Sequence, residues 1–223
     1  MKKIVVDNSG QFAAMVTAHI RQAAQKSDRD LHVGVPGGRG AVPVISGILQ
    51  CELPILRRIH LYLVDERISG AKNMDTLLDV GLQKAIEEDL FRQSQIHIPE
   101  EGFPFMPHTG QLDLLYLGVG EDGHIASLFP GSYPELDARD CPDTVRVTAS
   151  TKPPPERITI SFRGLRTYAK RSQTFLMFFG EGKRIALERF LEGQESPATL
   201  PCMYFPREWF TVDVVTDMQE VLA

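Results

Sequence analysis

The stretch Leu114-Leu115-Tyr116-Leu117-Gly118-Val119-Gly120-Glu121-Asp122-Gly123-His124 decides how this chain is read. A short apolar run bounded by glycines reads as a strand buried on both faces. It stops at a glycine-rich turn carrying a carboxylate and an imidazole two residues apart. In an open α/β sheet such turns lie beyond the carboxyl ends of the strands, where ligands bind. His124 exchanges protons near neutral pH, and Asp122 is placed to hold or polarise it. These two are the first candidate site residues.

Outward from this run, short apolar segments alternate with helix-period segments. Strands are expected at residues 4–6, 31–35, 59–64, 95–98, 112–119, 144–149, 158–162, 174–179 and 210–215. Helices are expected over about 9–25, 42–51 and 74–90, and again after Lys183, where Ile185, Leu187, Phe190 and Leu191 are apolar. Unbroken apolar strands between helices indicate an α/β fold: a mainly parallel, Rossmann-like sheet with helices on both faces. With 223 residues and no evident linker, residues 1–223 are expected to form a single domain. The net charge of −5 argues against a nucleic-acid surface. Three scattered cysteines without a CxxC pair suggest neither a disulfide framework nor a zinc site. The apolar run near the N-terminus is too short for a signal-peptide core, and no run approaches transmembrane length. A cytoplasmic protein with no membrane partner is expected.

Other motifs fall at strand ends. Gly118, Gly120 and Gly123 fit the dinucleotide fingerprint G-x-G-x-x-G, which requires a helix of several turns at the third glycine. Here Pro130, Gly131 and Pro134 follow within that span, so a nucleotide site is disfavoured. Asp65-Glu66-Arg67 follows the strand at 59–64. Arg67 offers a planar cation for phosphate or carboxylate, Asp65 suits a sugar hydroxyl or the orientation of Arg67, and Glu66 points the other way by strand alternation. Gly37-Gly38-Arg39-Gly40 lies between a strand and a helix, where backbone N–H groups hold phosphates. Lys152-Pro153-Pro154-Pro155-Glu156-Arg157 sets two cations around a stiff segment, and Lys183 begins a helix after two glycines. Ser127 carries no mark of an activated nucleophile.

Taken together, these residues resemble the 6-phosphogluconolactonases, within the wider glucosamine-6-phosphate isomerase/deaminase group. The block from Gly118 to Gly131 is similar to that family's signature almost throughout. Gly37-Gly38, Asp65-Glu66-Arg67, the run from Lys152 to Thr159 and Gly180-Glu181-Gly182-Lys183 match in order. The resemblance implies the family's isomerase/deaminase-like fold and hydrolysis of 6-phospho-D-glucono-1,5-lactone in the oxidative pentose phosphate pathway, with no metal or cofactor. His124 would be the general base, Asp122 its partner, and Arg67 a catalytic cation. Gly37, Gly38, Arg39, Asp65, Lys152, Arg157 and Lys183 would bind the phosphorylated sugar lactone. A monomer or weak homodimer is expected.

Where the family has Ser-Gly-Gly-Ser-Thr-Pro, this chain has Pro36-Gly37-Gly38-Arg39-Gly40-Ala41, so Arg39 either replaces the lost hydroxyls by charge or fills the pocket. The segments at 67–74 and 98–112 are also short. A degenerate phosphosugar-binding or interaction protein is one alternative. An amino-sugar phosphate deaminase or isomerase is the other. The deaminases read Asp-Gly-His-Ile-Ala-Phe-Asn-Glu-Pro and Asp-Glu-Tyr where this chain has Ser127-Leu128-Phe129-Pro130 and Arg67, which favours the lactonase.

Overall fold

A computed structural model describes residues 1–106, 110–148, 154–206 and 209–219. In chain order the elements begin with β1 (Lys3–Val5), α1 (Ser9–Lys26), β2 (Leu31–Val35), α2 (Gly38–Leu49), α3 (Leu53–Leu56), β3 (Ile59–Leu63) and β4 (Asp65–Arg67). The middle of the chain gives α4 (Asn73–Leu77), α5 (Gln83–Glu87), β5 (Ile96–His97), β6 (Leu114–Gly118), β7 (Thr144–Val147) and β8 (Arg157–Ile160). The last elements are α6 (Phe162–Tyr168), β9 (Gln173–Phe178), α7 (Arg184–Glu192) and β10 (Thr211–Thr216).

Seven strands form a parallel sheet in the order β1-β10-β9-β6-β2-β3-β5. Strand alternation divides the core between its two faces. Leu115, Leu117, Leu176, Phe178 and Val214 pack on one face with Phe162, Leu165, Leu187 and Phe190. Tyr116, Phe175, Met177, Val33 and Val35 pack on the other with Phe12, Val16, Ile20, Val44 and Ile48 from α1 and α2. The apolar i, i+4 stripe of α1 supplies its buried side, and the Asn8 side chain caps it by accepting from Gln11 N–H at 2.9 Å. From β2 the chain builds outward to β3 and β5. The strands from β6 onward add on the opposite side, through β9 to β10. The β2/β6 boundary is thus a topological switch point, where the loops after adjacent strands part to leave a crevice.

Three expectations are corrected. The strands expected at 144–149 and 158–162 are not in the main sheet. They form β7 and β8 of a separate antiparallel sheet with Asp65–Arg67, in the order β4-β8-β7. The helix expected at 74–90 is broken across Leu78–Leu82, where Gly81 has φ 130°, a conformation no L-residue adopts easily. The helix after Val35 starts at Gly38 rather than near 42, which places Arg39 and Gly40 in its first turn. Helix α6 was hidden in the sequence by the β-rich run before it, and Ser161 starts it by accepting from Gly164 N–H at 3.0 Å.

Candidate active site

The residues after β6 turn back on themselves within seven positions. Val119 pairs with Ile125, Gly120 N–H donates to the His124 carbonyl at 2.8 Å, and Gly123 N–H donates to the Gly120 carbonyl at 3.1 Å. No helix opens at Gly123, so the backbone the dinucleotide fingerprint needs is not formed here. The tight turn instead presses Asp122 against His124. Asp122 Oδ1 lies 2.5 Å from His124 Nδ1 and accepts from His124 N–H at 3.2 Å. Phe129 packs against the imidazole with ring centroids 4.8 Å apart. A Cβ on residue 120 would lie 2.0 Å from His124 Nδ1 and 2.7 Å from Asp122 Oδ1, so this close approach requires glycine. Burial pushes the Asp122 carboxyl up, but the bonds and positive charge of His124 outweigh it and hold the group at about 2. Asp122 is therefore an anion at neutral pH, and its bond to Nδ1 fixes the imidazole with Nδ1 as donor and Nε2 as acceptor.

His124 stands between two recesses of one crevice. The larger, of about 410 Å³, is lined by Gly37, Arg39 and Gly40 from the start of α2, by Gly118 and Gly120, and by Gly180 and Lys183 after β9. The smaller, of about 130 Å³, is lined by Gly37, Gly38, Asp65, Arg67, Asn73 and Arg157. The ends of β2, β3, β6 and β9 converge here, as switch-point topology requires.

The small antiparallel sheet sets its charges over this crevice. Arg67 and Arg157 are directly opposite across β4 and β8. Like charges in such a pair repel unless something between them compensates. Asp65 Oδ2 lies 3.7 Å from Arg157 Nη1 and supplies part of that compensation. Burial pulls the Arg157 guanidinium down from its usual range, Asp65 pushes it back up, and Arg67 pulls it down further. Arg67 Nη1 donates to the Ala71 carbonyl at 3.0 Å, while its buried Nε–H has no acceptor among the described residues.

Asp65 is committed on both oxygens. Oδ1 accepts from Asn73 Nδ2 at 3.2 Å and Oδ2 from the Ser127 hydroxyl at 2.6 Å. It therefore orients Arg157, with Arg67 on the neighbouring strand. Glu66, turned away as alternation predicted, accepts from the N–H groups of Arg67, Asn73 and Met74 at 2.7, 2.6 and 2.9 Å. It thereby closes the short 67–73 loop and caps α4. Lys183 lies in the turn before α7, with Nζ 3.7 Å from Glu121 Oε1. Arg39 is exposed at the rim and leaves the larger recess open. Lys152 lies outside the described residues. Asn73, Ser127 and Glu121 were not anticipated as parts of the site. Glu121 and Ser127 flank the histidine in sequence, but their partners are reached only through the fold.

A family model for glucosamine-6-phosphate isomerases/6-phosphogluconolactonase matches residues 83–212, more than half of the chain. The 6-phosphogluconolactonase of Borreliella burgdorferi is 30% identical over 185 residues, covering 76% of this chain and 76% of that protein. The crystal structure of 6-phosphogluconolactonase from Leishmania guyanensis superposes with a TM-score of 0.76 at 15% identity, covering 100% of this chain and 99% of that one. A monomeric glucosamine-6-phosphate deaminase superposes with a TM-score of 0.70 at 18% identity, covering 97% of each chain, so the fold is common to both activities. With the family model matching more than half of the chain, including β5, β6, β9 and the whole His124 turn, the chain belongs to the glucosamine-6-phosphate isomerase/6-phosphogluconolactonase family.

Proposed function

We propose that this chain hydrolyses 6-phospho-D-glucono-1,5-lactone to 6-phosphogluconate, with His124 as general base. The observation that carries this reading is the Asp122–His124 pair set between two cationic recesses. His124 Nε2 takes a proton from water as the water oxygen bonds to the lactone carbonyl carbon. The carbonyl π pair moves onto oxygen, and Arg67 and Arg157 stabilise that oxyanion. The tetrahedral intermediate then expels the ring oxygen, which receives the proton from the imidazolium. Asp122, ionised throughout, stabilises the imidazolium that exists between the two transfers.

The phosphate is assigned to the larger recess. The first-turn N–H groups of α2 lack intrahelical acceptors, and Lys183 and Arg39 add positive charge beside them. An activated ester needs no covalent nucleophile, which agrees with the Ser127 hydroxyl being spent on Asp65. The amino-sugar alternative would lack its usual acid, because Ser127-Leu128-Phe129-Pro130 stands where the deaminases carry a glutamate, and Arg67 replaces their tyrosine. No helix of the described residues is long and apolar enough to cross a membrane. The proposal places the enzyme in the cytoplasm as a monomer or weak homodimer.

The test is hydrolysis of freshly generated lactone, followed against its spontaneous opening, by wild-type protein and His124→Ala. Acceleration by the wild type that falls at least about a hundredfold in the variant is expected. A His124→Ala protein as fast as wild type would remove the base assignment. Ammonia release from glucosamine 6-phosphate would replace the lactonase reading with a deaminase.

A further inference from the structure

The amino-terminal edge of the main sheet carries a second concave site, of about 460 Å³. It opens between the last turns of α1 and the first residues of four neighbouring strands, Leu31 of β2, Leu114 of β6, Gln173 of β9 and Thr211 of β10. A five-residue parallel strand spans roughly 16 Å, so this site is separated from His124 by the length of the sheet. Nothing in lactone hydrolysis uses it.

Its charge is opposite to that of the molecule. Lys26, Arg29 and Arg171 line it with one carboxylate, Asp113; three cations less one anion leave two positive charges, on a chain whose net charge is −5. Two of the four groups are spent on each other. Asp113 accepts from Arg29 through both oxygens and from His32 N–H at 2.9 Å, and Arg29 also donates to the Asp30 carbonyl at 2.9 Å. Lys26 and Arg171 have no ion pair or side-chain hydrogen bond among the described residues. The surplus charge therefore sits on two side chains from different elements that face one cavity. The imidazole of His19, stacked on Phe175 with centroids 4.3 Å apart, adds a polar ring to the lining. The volume falls in the range of ordinary small-molecule sites.

We propose that this recess is a second anion site, which takes a small phosphorylated molecule of at least two negative charges between Lys26 and Arg171. Arg29 and Asp113 form its fixed wall. Lys26 and Arg171 provide the affinity, through charge-assisted hydrogen bonds to phosphate oxygens.

The experiment is a titration of the full chain with inorganic pyrophosphate at constant ionic strength, followed residue by residue in ¹H–¹⁵N spectra. Saturable shifts at the amides of Ser27, Ser172 and Gln173 are expected, on a binding curve separate from that of Gly37 and Gly120. The double variant Lys26→Ala/Arg171→Ala should weaken binding at the first set about tenfold or more. Shifts at Gly37 and Gly120, and lactone hydrolysis, should be unchanged. Lys26→Arg/Arg171→Lys should restore affinity to within about threefold, because the charge is kept. Shifts confined to the active-site set, or equal affinity in the alanine double variant, would overturn the assignment.

Discussion

Replacing Gly120 by alanine isolates the contribution of the Asp122–His124 pair without touching either side chain. The new methyl would lie 2.0 Å from His124 Nδ1 and 2.1 Å from Cε1, whereas carbon-sized atoms rest at about 3.5 Å or more. The imidazole must therefore retreat by roughly 1.5 Å. The same methyl would lie 2.7 Å from Asp122 Oδ1, so the carboxylate cannot simply follow. A 2.5 Å bond opened by that displacement is no longer a hydrogen bond. Misplacing a general base by about 1 Å costs on the order of a hundredfold, and the whole base contribution is about 10² to 10⁴. Gly120→Ala should accordingly lower kcat by roughly 10² to 10³. Folding should lose a modest amount. Gly120 does not have a positive φ and the displaced ring can move into the open crevice, so overpacking costs about 1 kcal/mol at its low end, and the lost Asp122–His124 bond adds about 1 kcal/mol.

The assay is lactone turnover on freshly made substrate, paired with urea unfolding to separate catalysis from stability. A ¹³C titration of the Asp122 carboxyl supplies an independent readout. In the native protein His124 holds that group at about 2, and loss of the bonds should let it rise toward the ordinary carboxylate range. An alanine variant that turns over within about threefold of wild type, with Asp122 still titrating near 2, would refute the reasoning. The pair would then be either tolerant of the methyl or irrelevant to the chemistry.

Ser127→Ala removes the hydroxyl that donates to Asp65 Oδ2 at 2.6 Å in a fully buried position. It should destabilise the protein by about 2 kcal/mol in urea unfolding; a loss below about 0.5 kcal/mol would show that Asp65 finds another donor. Burial, with the nearby His60 and His32, holds the His97 imidazole down at about 4, so it folds neutral. A depressed histidine contributes stability that is complete above about 6.5 and is lost as pH falls from there toward 4. The full interval would be worth about 3 kcal/mol, and about half of that once the solvent-facing side of the ring is discounted. Calorimetry from pH 7 to pH 4.5 should show a Tm decline that His97→Gln flattens, and parallel curves would assign the acid sensitivity elsewhere. Arg39→Ala should raise KM for the lactone far more than it lowers kcat, because Arg39 stands at the rim of the recess proposed for the phosphate; a fall in kcat at unchanged KM would contradict that placement.

What was legible in the sequence was local. Strands Leu31–Val35 and Leu114–Gly118 follow from apolar runs that only a two-sided sheet can bury, and α1 from its i, i+4 stripe and Asn8 cap. The Asp122–His124 pair was legible because both members lie in one turn, and the glycine between β6 and that pair announces a close approach. The small sheet was not legible. Residues 144–147 and 157–160 have the composition of strands, but composition does not say which sheet a strand joins. The pairing of residues 157–160 with Asp65–Arg67 spans about ninety residues of chain, and no short-range pattern encodes it. The glycine at 81 was visible, yet the periodicity on either side continued through it and concealed the break.

The same limit explains the partners of the acidic strand end. Alternation correctly turned Glu66 away from Asp65 and Arg67, and in the fold Glu66 is occupied with three backbone N–H groups. Alternation also put Asp65 and Arg67 on one side, which made them look like a pair. The fold sets Arg157 directly opposite Arg67, and Asp65 lies 3.7 Å from Arg157. Arg67 pulls the Arg157 guanidinium down, and an anion held between the two would relieve that repulsion. An oxyanion that exists only during the reaction gains more from such a site than the neutral carbonyl it comes from. On the proposed function, the pair therefore belongs at the lactone end of the substrate rather than at a phosphate that is charged from the start.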